Sequence, residues 1–144
     1  MKGNKMKKFA LFALSLLLIG CSPKEPKASP HLDIEDSSVN SFLSLQSLND
    51  RFTNGGMMEV EARFKNESSF NKDLLYKVDW FDKDGFLITN ITTKWKRVVV
   101  QSKRDFNVRA VSPSDKAVNY KLRITTPDSD DKDIKTINRY EFKN

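Results

Sequence analysis

The sequence predicts an all-β domain, a sandwich of about seven strands, on three observations. Apolar and polar residues alternate with period two in successive short segments, turns rich in Gly, Asn and Ser separate those segments, and no segment carries a convincing 3.6-residue period. The 144 residues are 38% hydrophobic and 31% charged, enough for one ordinary domain and too few for two.

The first element, residues 1–20, is read as a leader. Lys2, Lys5, Lys7 and Lys8 precede an apolar run from Phe9 to Ile19. That run is shorter than the ~20 residues a permanent bilayer-spanning helix needs, and it suits a signal-peptide core. Met6-Lys7-Lys8 would serve as a start as well as Met1 does. Leu17-Leu18-Ile19-Gly20-Cys21 resembles the bacterial lipobox, in which the cysteine is thioether-linked to diacylglycerol and becomes the first residue after cleavage. Cys21 is the lone cysteine of the chain, and this position accounts for it.

Residues 21–41 are expected to be the lipidated cysteine and a flexible linker. Ser22 to Pro30 holds three prolines and no large apolar residue, so it cannot contribute to a core. Up to residue 41 such a tether would span roughly 25 Å as a coil. His31 falls inside it and is expected to be solvated. By the sorting rule of enteric bacteria, Ser22 after the lipidated cysteine points to the outer membrane.

Residues 42–126 are expected to form the sandwich. Phe42 to Phe52 is ambiguous, because Leu43 and Leu45 fit a strand whereas Leu45, Leu48 and Phe52 fit a helix. A strand is preferred, since Asn54-Gly55-Gly56 would close a hairpin onto the next one. Met58, Val60, Ala62 and Phe64 alternate with Glu59, Glu61, Arg63 and Lys65; Leu74, Tyr76, Val78 and Trp80 repeat the pattern. Asp82-Lys83-Asp84-Gly85 reads as a turn with Gly85 at a positive φ, and Phe86-Leu87-Ile88 as the return strand. Phe106, Val108 and Ala110, then Val118, Tyr120, Leu122 and Ile124, complete the set. The expected core includes Val60, Phe64, Tyr76, Val78, Trp80, Phe106, Val108, Tyr120 and Leu122. Residues 127–144 are a polar acidic extension in which Ile134 to Phe142 would add a weak edge strand.

The run from Asp73 to Phe86, with its Tyr76, Trp80, Asp82 and Gly85, resembles the signature of the YcfL-type lipoproteins, small envelope proteins of unknown function. The upstream strand Val60 to Asn66, the downstream Trp95, the Phe106 strand and the segment Ala110 to Ala117 extend the likeness over roughly Phe42 to Thr126. The resemblance implies an immunoglobulin-like antiparallel sandwich facing the periplasm, and it supplies no catalytic residues. The acidic extension departs from the pattern.

Composition narrows the chemistry further. Without the leader, 21 lysines and arginines face 19 acids, which lacks the basic excess of a nucleic-acid binder. One histidine and one cysteine allow neither an internal disulfide nor a His/Cys metal cluster, so no cofactor or metal is expected. Asp82 and Asp84 are read as turn residues. Asp128 to Asp133 has the carboxylate density of a calcium loop, but it carries lysine at the fifth position and lacks the glycine and the closing glutamate of an EF-hand. Tyr76 and Trp80 are read as core.

Charge is uneven: residues 94–123 hold nine cations and two acids, while residues 59–85 hold five cations and seven acids. Lys94, Trp95, Lys96, Arg97, Arg109, Lys121 and Arg123 are therefore the expected binding surface, with Arg109 beside Lys121 and Arg123 on paired strands. The function expected is that of a non-enzymatic envelope lipoprotein, held to the membrane through lipid on Cys21 and binding an envelope protein or polysaccharide. The alternative is an envelope hydrolase or carbohydrate-processing enzyme using carboxylates such as Asp79.

Overall fold

The computed structural model describes residues 29–136. The leader, Cys21 and the linker before Ser29 lie outside the described residues, as does the expected edge strand beyond Thr136. Eight strands form two sheets around one core, and the described residues contain no α-helix.

The first sheet is built on β4 (Lys72–Phe81), which pairs antiparallel with β8 (Asn119–Thr125) along one edge. Its other edge is shared by two strands. β5 (Leu87–Ile88) opposes Trp80 and Phe81, and β6 (Lys96–Val100) opposes Lys72 to Tyr76. The 3₁₀ turn Ile91–Thr93 separates them, capped by Asn90, whose side chain accepts from the Thr92 N–H. The second sheet runs β2 (Leu43–Phe52), β3 (Met58–Asn66), β7 (Asp105–Val111), all antiparallel.

The alternation explains the core. All nine expected core residues are buried; the Phe106 ring meets Tyr76 at 5.5 Å across the two sheets and Phe64 at 6.2 Å within its own sheet. The helix-like spacing of Leu45 and Leu48 has a local cause. A bulge shifts the β2–β3 register between Leu45 and Ser47, and the extra residue brings Leu48 back to the face of Leu45. The hairpin closes as expected, with the Gly56 N–H donating to Thr53 and Gly56 at φ +76°. In the β4–β5 turn Gly85 sits at φ +84°, and the Asp82 carboxylate accepts from the Asp84 and Phe86 N–H groups.

The expected boundary at residue 42 is corrected, because the fold starts earlier. Leu32–Ile34 forms β1, which pairs parallel with β8, and Ser37–Ser41 forms a 3₁₀ turn that buries Val39. An all-antiparallel arrangement is corrected by the same pairing. His31 stacks on Tyr120 at 4.5 Å with its Nδ1 3.1 Å from the Tyr120 carbonyl oxygen, so it belongs to the domain. Val118 is exposed just before β8. The acidic segment Ser129–Asp133 is a 3₁₀ turn closed by an Asp128/Asp131 capping box, and Thr136 makes a lone bridge to Arg97.

Asn66, at the end of β3, has no exposed surface. Its amide N–H groups are shared among the carbonyls of Phe70, Val100 and Gln101 at 2.9 to 3.1 Å, and its Oδ1 accepts from the N–H and hydroxyl of Ser68. One side chain thus ties the β3–β4 loop to the end of β6. Asn66→Asp presents oxygens to three carbonyls, and a buried group left without its partner costs about 1–3 kcal/mol. Its urea unfolding midpoint is expected to fall at least as far as that of Asn66→Ala. Trp80→Ala, which empties a core site, is expected to cost ~3–5 kcal/mol, and Lys121→Ala under about 0.5 kcal/mol.

Candidate functional site

The outer face of the first sheet carries most of the expected binding surface, and the strands dispose it differently from the linear pattern. Along β6 the side chains alternate. Lys96 lies on the core-side edge with its Nζ 6.0 Å from the Tyr76 ring, while Arg97 turns outward and holds Asp73 through two guanidinium nitrogens at 2.6 to 3.1 Å. That carboxylate raises the Arg97 pKa, so the guanidinium stays charged.

Arg123 on β8 is also engaged. Its Nε lies 2.7 Å from Asp79 Oδ2 as an ion pair without hydrogen-bond alignment, and its Nη1 donates to Glu35 at 3.0 Å, with Asp33 at 3.9 Å. Asp79 is buried, because Lys77 at 3.3 Å and Arg123 cover both of its oxygens. Arg123 and Arg97 therefore spend their charge within the domain. Lys121 stands at the register position opposite Asp79 and makes no ion pair among the described residues.

Arg109 is separated from this face. β7 joins the second sheet and β8 the first, so Arg109 and the Lys121/Arg123 pair do not sit on paired strands, and that expectation is corrected. Arg109 instead clamps Glu59 together with Arg51. The two arginines approach Glu59 Oε1 and Oε2 at 2.5 and 2.6 Å, and the carboxylate is buried beneath them although both arginines are exposed. Arg109 first and Arg51 second hold the Glu59 carboxyl below its ordinary 4.5. These residues line a hollow of about 320 Å³ with Asn49, Asp50 and Glu61. Asp50 in turn accepts from the Tyr120 hydroxyl at 3.4 Å across the two sheets; burial first and then Asp50 push Tyr120 up to about 12.

What remains of the expected surface converges on Trp95. Lys77 reaches from β4 to place its Nζ 5.0 Å from the Trp95 ring centre, a cation–π distance. Lys94 and Lys135 line the same open hollow of about 520 Å³ with Thr93 and Ile134, and Lys96 borders it although its Nζ is turned toward Tyr76. An indole bordered by lysines can accept an anionic group or a sugar face; the described residues contain no cluster of three metal-ligating side chains. The Lys94-Trp95-Lys96 triplet was the sequence signal for this hollow. Lys77 and Lys135 come from elements distant in sequence and had none.

A sequence profile of the family described as "Protein of unknown function (DUF1425)" matches residues 30–126. No curated protein matches the chain. The solved structure of Campylobacter jejuni cj0090 is similar at 23% identity and a TM-score of 0.57, covering 69% of this chain and 100% of that one. A DUF1425 family member from Shewanella sp. pv-4 is similar at 22% identity and a TM-score of 0.53, covering 60% and 80%. At these identities the likeness carries the fold alone.

Because Glu59 has a lower pKa folded than unfolded, its contribution to stability is complete above the unfolded value and is lost as pH falls through the folded one. Glu59→Gln is expected to lower the melting temperature at pH 7 and to flatten its decline between about pH 5 and 3. Some acid sensitivity will persist, since Thr126 and Ser38 hold Asp36 low by hydrogen bonds.

Proposed function

The chain belongs to the family described as a protein of unknown function (DUF1425), and from that premise we propose that it is a non-enzymatic envelope lipoprotein. In this reading it is anchored by lipid on Cys21, faces the periplasm from the outer membrane, and holds an immunoglobulin-like domain of the YcfL type for another envelope component to bind. The observation that carries the binding reading is the hollow around Trp95, where Lys77, Lys94, Lys96 and Lys135 are gathered from three stretches of the chain. A cationic, aromatic, open site suits an acidic protein surface or an envelope polysaccharide. The lipobox at Cys21 supports the location, since two or three acyl chains anchor a protein far more firmly than one.

A second reading rests on the other hollow. Asp50 and Glu61 line a concave site beside the Glu59 clamp, which is where a carboxylate-dependent hydrolase would be sought in preference to the covered Asp79 and Glu59. Turnover of a cell-wall glycan by the purified protein, abolished in Glu61→Gln, would replace the binding reading with this one.

Two outcomes are expected. Cys21→Ser is expected to abolish fatty-acid incorporation and leave a larger precursor; unchanged incorporation would remove the anchor. Trp95→Ala combined with Lys94→Glu is expected to lower recovery of a partner captured from solubilised envelopes at least tenfold, with an unchanged circular-dichroism spectrum. Capture by wild type should weaken as salt rises, because exposed charges are screened beyond ~8 Å at physiological ionic strength. Recovery that is equal in the variant and indifferent to salt would exclude this hollow as the contact.

A further inference from the structure

Most of the large apolar residues that the fold leaves in solvent among the described residues are gathered at one end of it. The register of the first sheet defines that end: Phe81 of β4 stands opposite Asn119 of β8, the turn 82–86 lies just beyond, and β1 runs parallel to β8. The loops 53–57 and 112–118 close the second sheet at the same end, where the Ser112 N–H donates to the Met58 carbonyl and the Val118 N–H to that of Phe81. Five of the seven large hydrophobic residues exposed among the described residues sit at or next to it: Phe86 at 72%, Phe52 at 56%, Leu87 at 50%, Val118 at 49% and Val111 at 46%. Phe70 is at the opposite end and Ile91 on the connection between β5 and β6.

The chain enters the domain at this same end. Pro30 and His31 share a surface depression with Phe81, Gly85 and Val118. Eight residue steps separate Ser29 from Cys21, a reach of at most about 29 Å fully extended and about 16 Å as a coil. The early start of the fold makes this tether much shorter than a linker running to residue 41.

We infer that this end of the domain docks on the lipid bilayer, with Phe86 and Val118 entering the interface beside the anchor. The inference rests on the lipid-anchor reading above. Charge does not drive it, since Lys83, Lys116 and Lys121 are offset by Asp82, Asp84 and Asp115 around the same end. Exposed aromatic and aliphatic side chains do, by leaving water for the acyl boundary. Docking in this pose leaves the Trp95 hollow, on a side face of the first sheet, open to the periplasm.

The test uses full-length lipidated protein in phosphatidylethanolamine and phosphatidylglycerol vesicles that carry spin-labelled lipid. Cys21 is the chain's lone cysteine and is capped by its thioether, so a single added cysteine takes a fluorophore. Labels on Asp84→Cys and Lys116→Cys are expected to be quenched at least threefold more than a label on Ser69→Cys at the opposite end. Quenching should be insensitive to salt, and Phe86→Asp with Val118→Asp should reduce it at position 84 to the level at position 69. Vesicle flotation with equal, weak quenching at all three positions overturns the docking and leaves the anchor standing. Failure to float with the vesicles overturns both.

Discussion

The two sheets are held in register at one end by a single buried amide. Asn66 ends β3, and its side chain meets carbonyls from the β3–β4 loop and from the end of β6, so the turn that leaves one sheet and the strand that edges the other share its hydrogens. In an apolar interior an amide with unmet bonds is costly, which makes the arrangement all-or-none. The Asn66 backbone N–H also donates to the Arg104 carbonyl, extending the tie to the loop that leads into β7. With that end fixed, β4 is directed across the core, and Trp80, Tyr76 and Val78 fall onto the residues of β3 and β7.

Charge is then distributed by the same register. Acids on the nominally solvent-facing side of central strands become covered when arginines from neighbouring strands close over them, as Arg123 does for Asp79 and Arg51 and Arg109 do for Glu59. Two of the nine cations of residues 94–123, Arg109 and Arg123, are neutralised in this way, and Arg97 pairs with Asp73. Lys94 and Lys135 beside Trp95 make no ion pair among the described residues, and their hollow depends on the irregular link between β5 and β6, which carries Trp95 back toward Lys77 of β4.

Much of this was legible in the chain. Period-two alternation identified the strands from Leu43 to Ile124 except β6, whose Val98 and Val100 went unread, and the Gly56 and Gly85 turns were marked by residues that tolerate positive φ. What escaped was non-local. Three residues, Leu32–Ile34, are too few to show a period, and parallel pairing to β8 leaves no turn signal between the partners. Whether β7 and β8 are neighbours is decided by a connection that crosses from one sheet to the other, so the pairing of Arg109 with Lys121 could not be read from alternation. The bulge after Leu45 disguised a strand as a helix until the extra residue was counted.

The parallel pairing of β1 has a mechanical consequence. The chain enters β1 through a turn in which the Leu32 N–H donates to the Ser29 carbonyl, so a pull on the segment before Leu32 would first open that turn and then load the bonds to β8 side by side. The Leu122 N–H to His31 and the Glu35 N–H to Ile124 bonds share such a load with those between them, in shear. A strand peeled away sideways from its free end would instead lose its bonds singly, in succession. If the domain is held through the segment before β1, that strand would resist a pull as a lap joint does, although the joint is only three residues long.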